Sequence, residues 1–244
     1  MKKSLLALSV ALAAYALPTL ALADDGLAFN VGAFSDYRYR GISQTRLKPA
    51  VQGGIDFTAG GLYVGTWVST IKWVKDIPGG DAAFEWDIYG GYKGEITKDL
   101  AYDVGVLAYV YPSNGLSPSA NTTEVYGALT YGPVTAKYSH SLTNTFANPD
   151  SKNSYYLDLS ATFDVGGFSV VPHIGYQKFT GPVGGMASYT DYAVTVSKDF
   201  SGFVPSLALV GTDADKGFYV PGANANSTKF LGKTALVLGL KYNF

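Results

Sequence analysis

Phe230–Phe244 reads FLGKTALVLGLKYNF. Leu236, Leu238, Leu240, Tyr242 and Phe244 fall on one set of alternate positions; Leu231, Lys233, Ala235, Val237, Gly239, Lys241 and Asn243 fall on the other. Period two marks a β-strand, in which successive side chains point to opposite faces. A soluble strand buries its apolar face against a second layer of structure. Here an apolar stripe runs to the final aromatic residue. Two readings are open for the stretch alone: the last strand of a soluble sandwich or barrel, or the closing strand of a barrel whose greasy face meets lipid.

The other end points to export. Met1–Ala23 has Lys2 and Lys3, an apolar run Leu5–Leu17, a break at Pro18 and Ala21-Leu22-Ala23 before Asp24-Asp25. That pattern predicts a secretory signal peptide over 1–23, cleaved to leave a mature domain over 24–244. The mature sequence has no apolar run of about 18 residues, so no transmembrane helix is expected. With no cysteine, thiol chemistry and cysteine metal sites are excluded. Charged residues are only 15% of the chain, while Gly numbers 29 and Tyr 19, a balance that suits a closed sheet with tight turns and aromatic belts. A formal net charge of −1 argues against a nucleic-acid partner.

Between the ends the chain alternates strand after strand. Phe84, Trp86, Ile88 and Tyr92 oppose Glu85, Asp87, Tyr89 and Lys93; Tyr155, Leu157 and Leu159 oppose Tyr156, Asp158 and Ser160. About twelve such strands are expected. Their faces are ambiguous over Leu62–Thr70, which is apolar on both sides, and over the short run Val204–Thr212. Pro172 predicts a distortion in its strand. Short turns near 59–61, 94–99, 132–133, 166–167 and 200–203 alternate with longer loops near 41–49, 71–83, 112–120, 144–153, 179–186 and 213–228. A soluble sandwich has no reason to keep its short turns at one end. A transmembrane antiparallel up-and-down β-barrel does, with short periplasmic turns and long outer loops. Closure would also leave no strand edge unpaired in lipid. The expected fold class is therefore all-β, an outer-membrane barrel exported through the secretory pathway of a Gram-negative cell. In that setting Leu240, Tyr242 and Phe244 resemble the C-terminal assembly signal of bacterial outer-membrane barrels, which implies the barrel-assembly machinery as a partner.

SDYRYRGISQT (Ser35–Thr45), PAVQGGIDF (Pro49–Phe57), GLYVGTWVST (Gly61–Thr70) and FEWDIYGGY (Phe84–Tyr92) resemble the TorF-type porins, a group of uncharacterised proteobacterial outer-membrane proteins. The likeness is densest in the first third of the chain. It implies a secreted β-barrel with a pore function. The family has no established substrate or functional residues, so none is carried over.

The candidate site residues come from the alternation itself. Asp36, Arg38, Arg40, Glu85, Asp87, Asp103, Glu124, Lys137, Asp158, Asp191 and Lys233 fall on the polar faces, costly toward lipid and reasonable toward a wet lumen. One reading is a channel for passive diffusion of small hydrophilic solutes, selected by opposed acid and base groups. The alternative is a non-conducting barrel, braced by interior ion pairs, that presents its loops. Eight strands fill with side chains and sixteen leave a channel; twelve lies between. Arg38 and Arg40, taken as neighbours on the polar face of the first strand, would point the same way about 7 Å apart. They act either as a filter facing Glu85 and Asp87 or as a brace paired to Asp36, Glu85 or Asp87. Arg46 and Lys48 extend this basic stretch. A hydrolase on the lipid face is not supported, because Leu142 and Gly175 stand two residues beyond His140 and His173, where a serine partner would have to lie. No cofactor and no catalytic or metal-binding residue is expected. Lipid and small solutes are the expected partners; the solute and the oligomeric state are not legible.

Overall fold

Gly26–Phe34, the first strand (β1), pairs on one side with Ala50–Ala59 (β2) and on the other with the last strand of the chain. This is the computed structural model of the chain, and it describes residues 25–225 and 227–244. The expected signal peptide at 1–23 lies outside the described residues. After β2 come Leu62–Thr70 (β3), Phe84–Thr97 (β4), Leu100–Val110 (β5), Thr122–Tyr131 (β6) and Val134–Ser141 (β7). Strand β8 runs as two pieces, Tyr155–Ala161 and Phe163–Val165. Phe168–Lys178 (β9), Tyr189–Ser197 (β10), Phe203–Thr212 (β11) and Ala235–Asn243 (β12) complete the wall. Each strand pairs antiparallel with its sequence neighbours, and β12 returns to β1, so the twelve strands form a closed up-and-down barrel.

The short connections all lie at one end. Gly60-Gly61 and Gly166-Gly167 make two-residue turns with both φ angles positive, the geometry that matches the twist of a hairpin and that glycine adopts without strain. The long loops gather at the opposite end. Pro172 interrupts pairing rather than bulging it. Ser160 faces His173 and Phe163 faces Val170 in one unbroken register, while between them Thr162 donates its N–H to the Pro133 carbonyl at 2.9 Å. Proline has no N–H to give to a carbonyl of the partner strand, so the β8–β9 ladder lapses there while β8 stays paired to the β7 side.

Outward faces are apolar along the whole wall. On β12, Leu236 and Leu238 are 63% and 62% exposed, while Val237 and Lys241 on the alternate positions are 8% and 4% exposed. Lys233 lies before β12 in the preceding loop and is exposed, not lumenal. The sequence left the faces of β3 open: Leu62, Val64 and Val68 point out, and Trp67 points in because Tyr37 packs edge-on against it at 5.4 Å. Toward the turn end Tyr92, Tyr102, Phe203, Tyr242 and Phe244 form an aromatic girdle; toward the loop end Phe84, Trp86, Tyr155 and Tyr176 form another. The fold is thus a transmembrane β-barrel, an apolar band between two aromatic belts.

Phe244 completes the wall. It exchanges both backbone hydrogen bonds with Phe29, at 2.9 and 3.0 Å, and stacks on the Phe29 and Tyr242 rings. At the loop end the interior is packed. Tyr37, Trp67, Ile71, Val74, Tyr109 and Tyr111 form one buried cluster, and Ile42, Tyr189, Ala214 and Leu231 another.

Candidate functional site

The first strand stops at Phe34, six residues earlier than the alternation implies. The following segment folds inward as a small hairpin, pairing Arg38–Tyr39 with Ile42–Ser43. Arg40 at φ 44° and Gly41 at φ 81° form its tip. An arginine rarely takes a positive φ, so period-two reading ran straight through this turn. The consequence is a correction: Asp36, Arg38 and Arg40 are not on the wall of β1 but on a loop inside the barrel.

The two arginines also diverge. The Arg38 Nε donates to Asp36 at 2.5 Å, and its Nη1 donates to the carbonyls of Gly41, Leu231 and Lys233, so it ties the hairpin to the last loop. The Arg40 guanidinium reaches Glu124 on β6 at 2.6 and 3.1 Å and the Gln177 Oε1 on β9 at 2.5 Å. Its Cζ lies 4.2 Å from the Tyr156 ring centre. Arg46 pairs with Asp76 in the short helix Trp73–Asp76. The hairpin is therefore held at β6, at β9 and at the last loop, and it spans the lumen near its loop end.

Glu85 and Asp87 meet neither arginine. Glu85 accepts the Tyr37 and Tyr111 hydroxyls at 2.5 and 2.6 Å. Asp87, two residues along the same face of β4, is nine-tenths buried, and its Oδ1 has no hydrogen-bond partner.

Below the hairpin a row of charges follows the hydrogen-bonding direction. Lys93 is opposite Asp103, Lys137 is opposite Asp158, and Gly175 separates Asp158 from Asp191. Lys137 sits over the Tyr126 ring at 3.9 Å, and Asp103 accepts from the Tyr63 hydroxyl at 2.6 Å. His173 lies between two carboxylates, Nδ1 to Asp158 at 3.0 Å and Nε2 to Asp191 at 2.8 Å. An ionised carboxylate only accepts, so an imidazole that carries both protons can donate to both of them. Tyr156 donates to Asp191 at 2.9 Å. It can do so because Gly175 has no side chain; a Cβ there would collide with the Tyr156 phenol.

Among the described residues, Asp36, Asp56, Glu85, Asp87, Asp103, Glu124, Asp158 and Asp191 face the interior, against Arg38, Arg40, Lys93, Lys137, Lys241 and His173. The sequence had marked most of these; Asp56, Lys93 and Gln177 carried the same inward phase but were not singled out, and His173 was weighed only as a hydrolase residue. Tyrosines 63, 111 and 156 were missed because a phenol reads as apolar in a binary pattern. No group of His, Cys, Asp and Glu suited to a metal ion occurs among the described residues. His140 faces outward, bonded to the Tyr138 hydroxyl at 2.9 Å.

The sequence profile described as "Bacterial protein of unknown function (Gcw_chp)" matches residues 22–244. The chain belongs to the Gcw_chp family. No curated protein matches the sequence. Among solved structures, this Gcw_chp barrel is similar to the KdgM porin in complex with disordered oligogalacturonate, at a TM-score of 0.56 and 10% identity, over 89% of this chain and 98% of that one. It is similar to the NanC porin at a TM-score of 0.55 and 10% identity, over 89% and 99%. At such identity the likeness concerns the fold, a porin-type barrel.

Proposed function

We propose that this Gcw_chp barrel is a narrow outer-membrane channel for passive passage of small hydrophilic solutes, its bore set by the inward hairpin at 38–43. The observation that carries the reading is the polar, charged lumen inside an apolar wall, spanned by one loop. Interior charge on this scale is costly to bury and is not needed to close a barrel. A hydrophilic route through the membrane accounts for it. The porin-type fold and the TorF-type motifs of the first third support the same reading. So does export by a signal peptide over 1–23, with 24–244 as the barrel, lipid around it and the barrel-assembly machinery acting on its last strand. Turns then face the periplasm and loops face outward.

A second reading has its own observation. The hairpin is pinned by buried ion pairs and by two apolar clusters, as in a barrel that is closed at rest and serves as a support for its loops. Single-channel recording in planar bilayers separates the two. The channel reading expects discrete steps from the wild type, and several-fold larger steps once residues 36–44 are replaced by a short Gly/Ser link. Steps from the deletion alone, with a silent wild type, would favour the closed barrel.

A further inference from the structure

We propose that Asp87, with Glu85 beside it, is the charge-selecting point of the lumen and that the solutes passed are cationic. The inference rests on the channel reading and adds the substrate class. Its starting point is where the positive charges go. The basic stretch that follows β1 suggests an anion path, but Arg38 is committed to Asp36 and three carbonyls, and Arg40 to Glu124 and Gln177. A guanidinium held against a carboxylate in that way has its charge engaged, although the Arg38 Nη2 has no hydrogen-bond partner. On β4, at the level of the hairpin, the opposite holds. Glu85 accepts from two neutral phenols, and neither brings a positive charge to it. Asp87 is buried with an oxygen that no protein group satisfies. A carboxylate in that state is costly to ionise alone, and a cation arriving beside it favours the ionised form.

The lumen wall around the pair has low dielectric, which lengthens the reach of an uncancelled charge and focuses it on the path. A ring or pair of carboxylates at a constriction is the usual basis of cation preference. A small ammonium, a guanidinium-bearing solute or an alkali ion meets this chemistry. A polyanion such as the oligogalacturonate of the KdgM complex would be repelled by it.

The test is the reversal potential of the purified full-length protein in planar bilayers under a tenfold KCl gradient. Wild type is expected to pass potassium several-fold better than chloride. Asp87→Asn, which keeps shape and removes charge, is expected to bring the ratio close to one while step size and the folded gel form persist. Raising both salt concentrations is expected to shrink the wild-type preference as the Debye length shortens. A wild-type channel that conducts with a ratio at or below one overturns the inference whether or not the variant folds. So does an unchanged ratio in Asp87→Asn. A wild type that never conducts overturns the channel reading itself and this inference with it.

Discussion

Arg40 shows how one residue fixes the shape of the lumen. It sits in a left-handed backbone conformation, and its side chain joins three parts of the barrel that are far apart in sequence. Its charge is removed from water along with that of Glu124, so the pair gains only where the geometry is met on both sides. Losing one partner leaves the other as an unpaired buried charge. Arg40→Ala is expected to cost about 3–5 kcal/mol in detergent unfolding. Arg40→Lys is expected to recover only part of it, since an ammonium cannot bridge Glu124 and Gln177 in a planar fork. Equal midpoints for all three proteins would show that the contact braces nothing. Of the partners that the sequence offered the arginine pair, Arg38 meets Asp36, while Arg40 pairs with Glu124, a carboxylate that the spacing did not single out for it.

At the scale of the element, β12 matters because its pairing with β1 closes the barrel. Its outer stripe, Leu236 to Phe244, meets the apolar surroundings, while Val237 and Lys241 point in. Phe244 contributes two backbone hydrogen bonds to the seam and rings on both sides of it. Stacked aromatic pairs contribute roughly 0.5–1.5 kcal/mol beyond the area they bury, and the open seam would expose unpaired backbone to lipid. Deleting Phe244 is expected to lower the amount of heat-modifiable barrel recovered from the outer membrane several-fold. The molecules that do assemble should give a circular dichroism spectrum like that of the wild type. Wild-type yield from the deletion would mean that the terminal ring is not an assembly signal.

For the whole molecule, the deciding fact is that the barrel is inside out relative to a soluble protein. Ile88 shows this: it is exposed on the outer face of β4 with Phe84 and Trp86 on the loop side and Tyr92 on the turn side, so it sits between the two aromatic girdles. An arginine near the bilayer midplane costs about 2–4 kcal/mol, and the cost falls toward zero near the interfaces. Ile88→Arg is therefore expected to lose that amount in refolding into lipid vesicles. Met186→Arg, an equally exposed apolar site in a loop, is expected to lose almost nothing. A soluble barrel would treat the two substitutions alike.

The alternation along the strands was enough to establish the number of strands, which end holds the turns and, on the wall outside β3, most of the side chains that face inward, because a pleated strand enforces period two wherever one face meets lipid. Glu85, Asp87, Asp103, Glu124, Lys137, Asp158 and Asp191 were legible for that reason. The partners of those groups were not. Nothing in a local pattern brings Arg40 to Glu124 and Gln177, or Tyr37 and Tyr111 to Glu85. The faces of β3 were likewise decided by Tyr37 packing on Trp67. The contacts of Tyr37 and Arg40 follow from the segment after Phe34 turning into the lumen, with a positive-φ arginine at its tip, and a closed wall is what places that segment within reach of strands on every side.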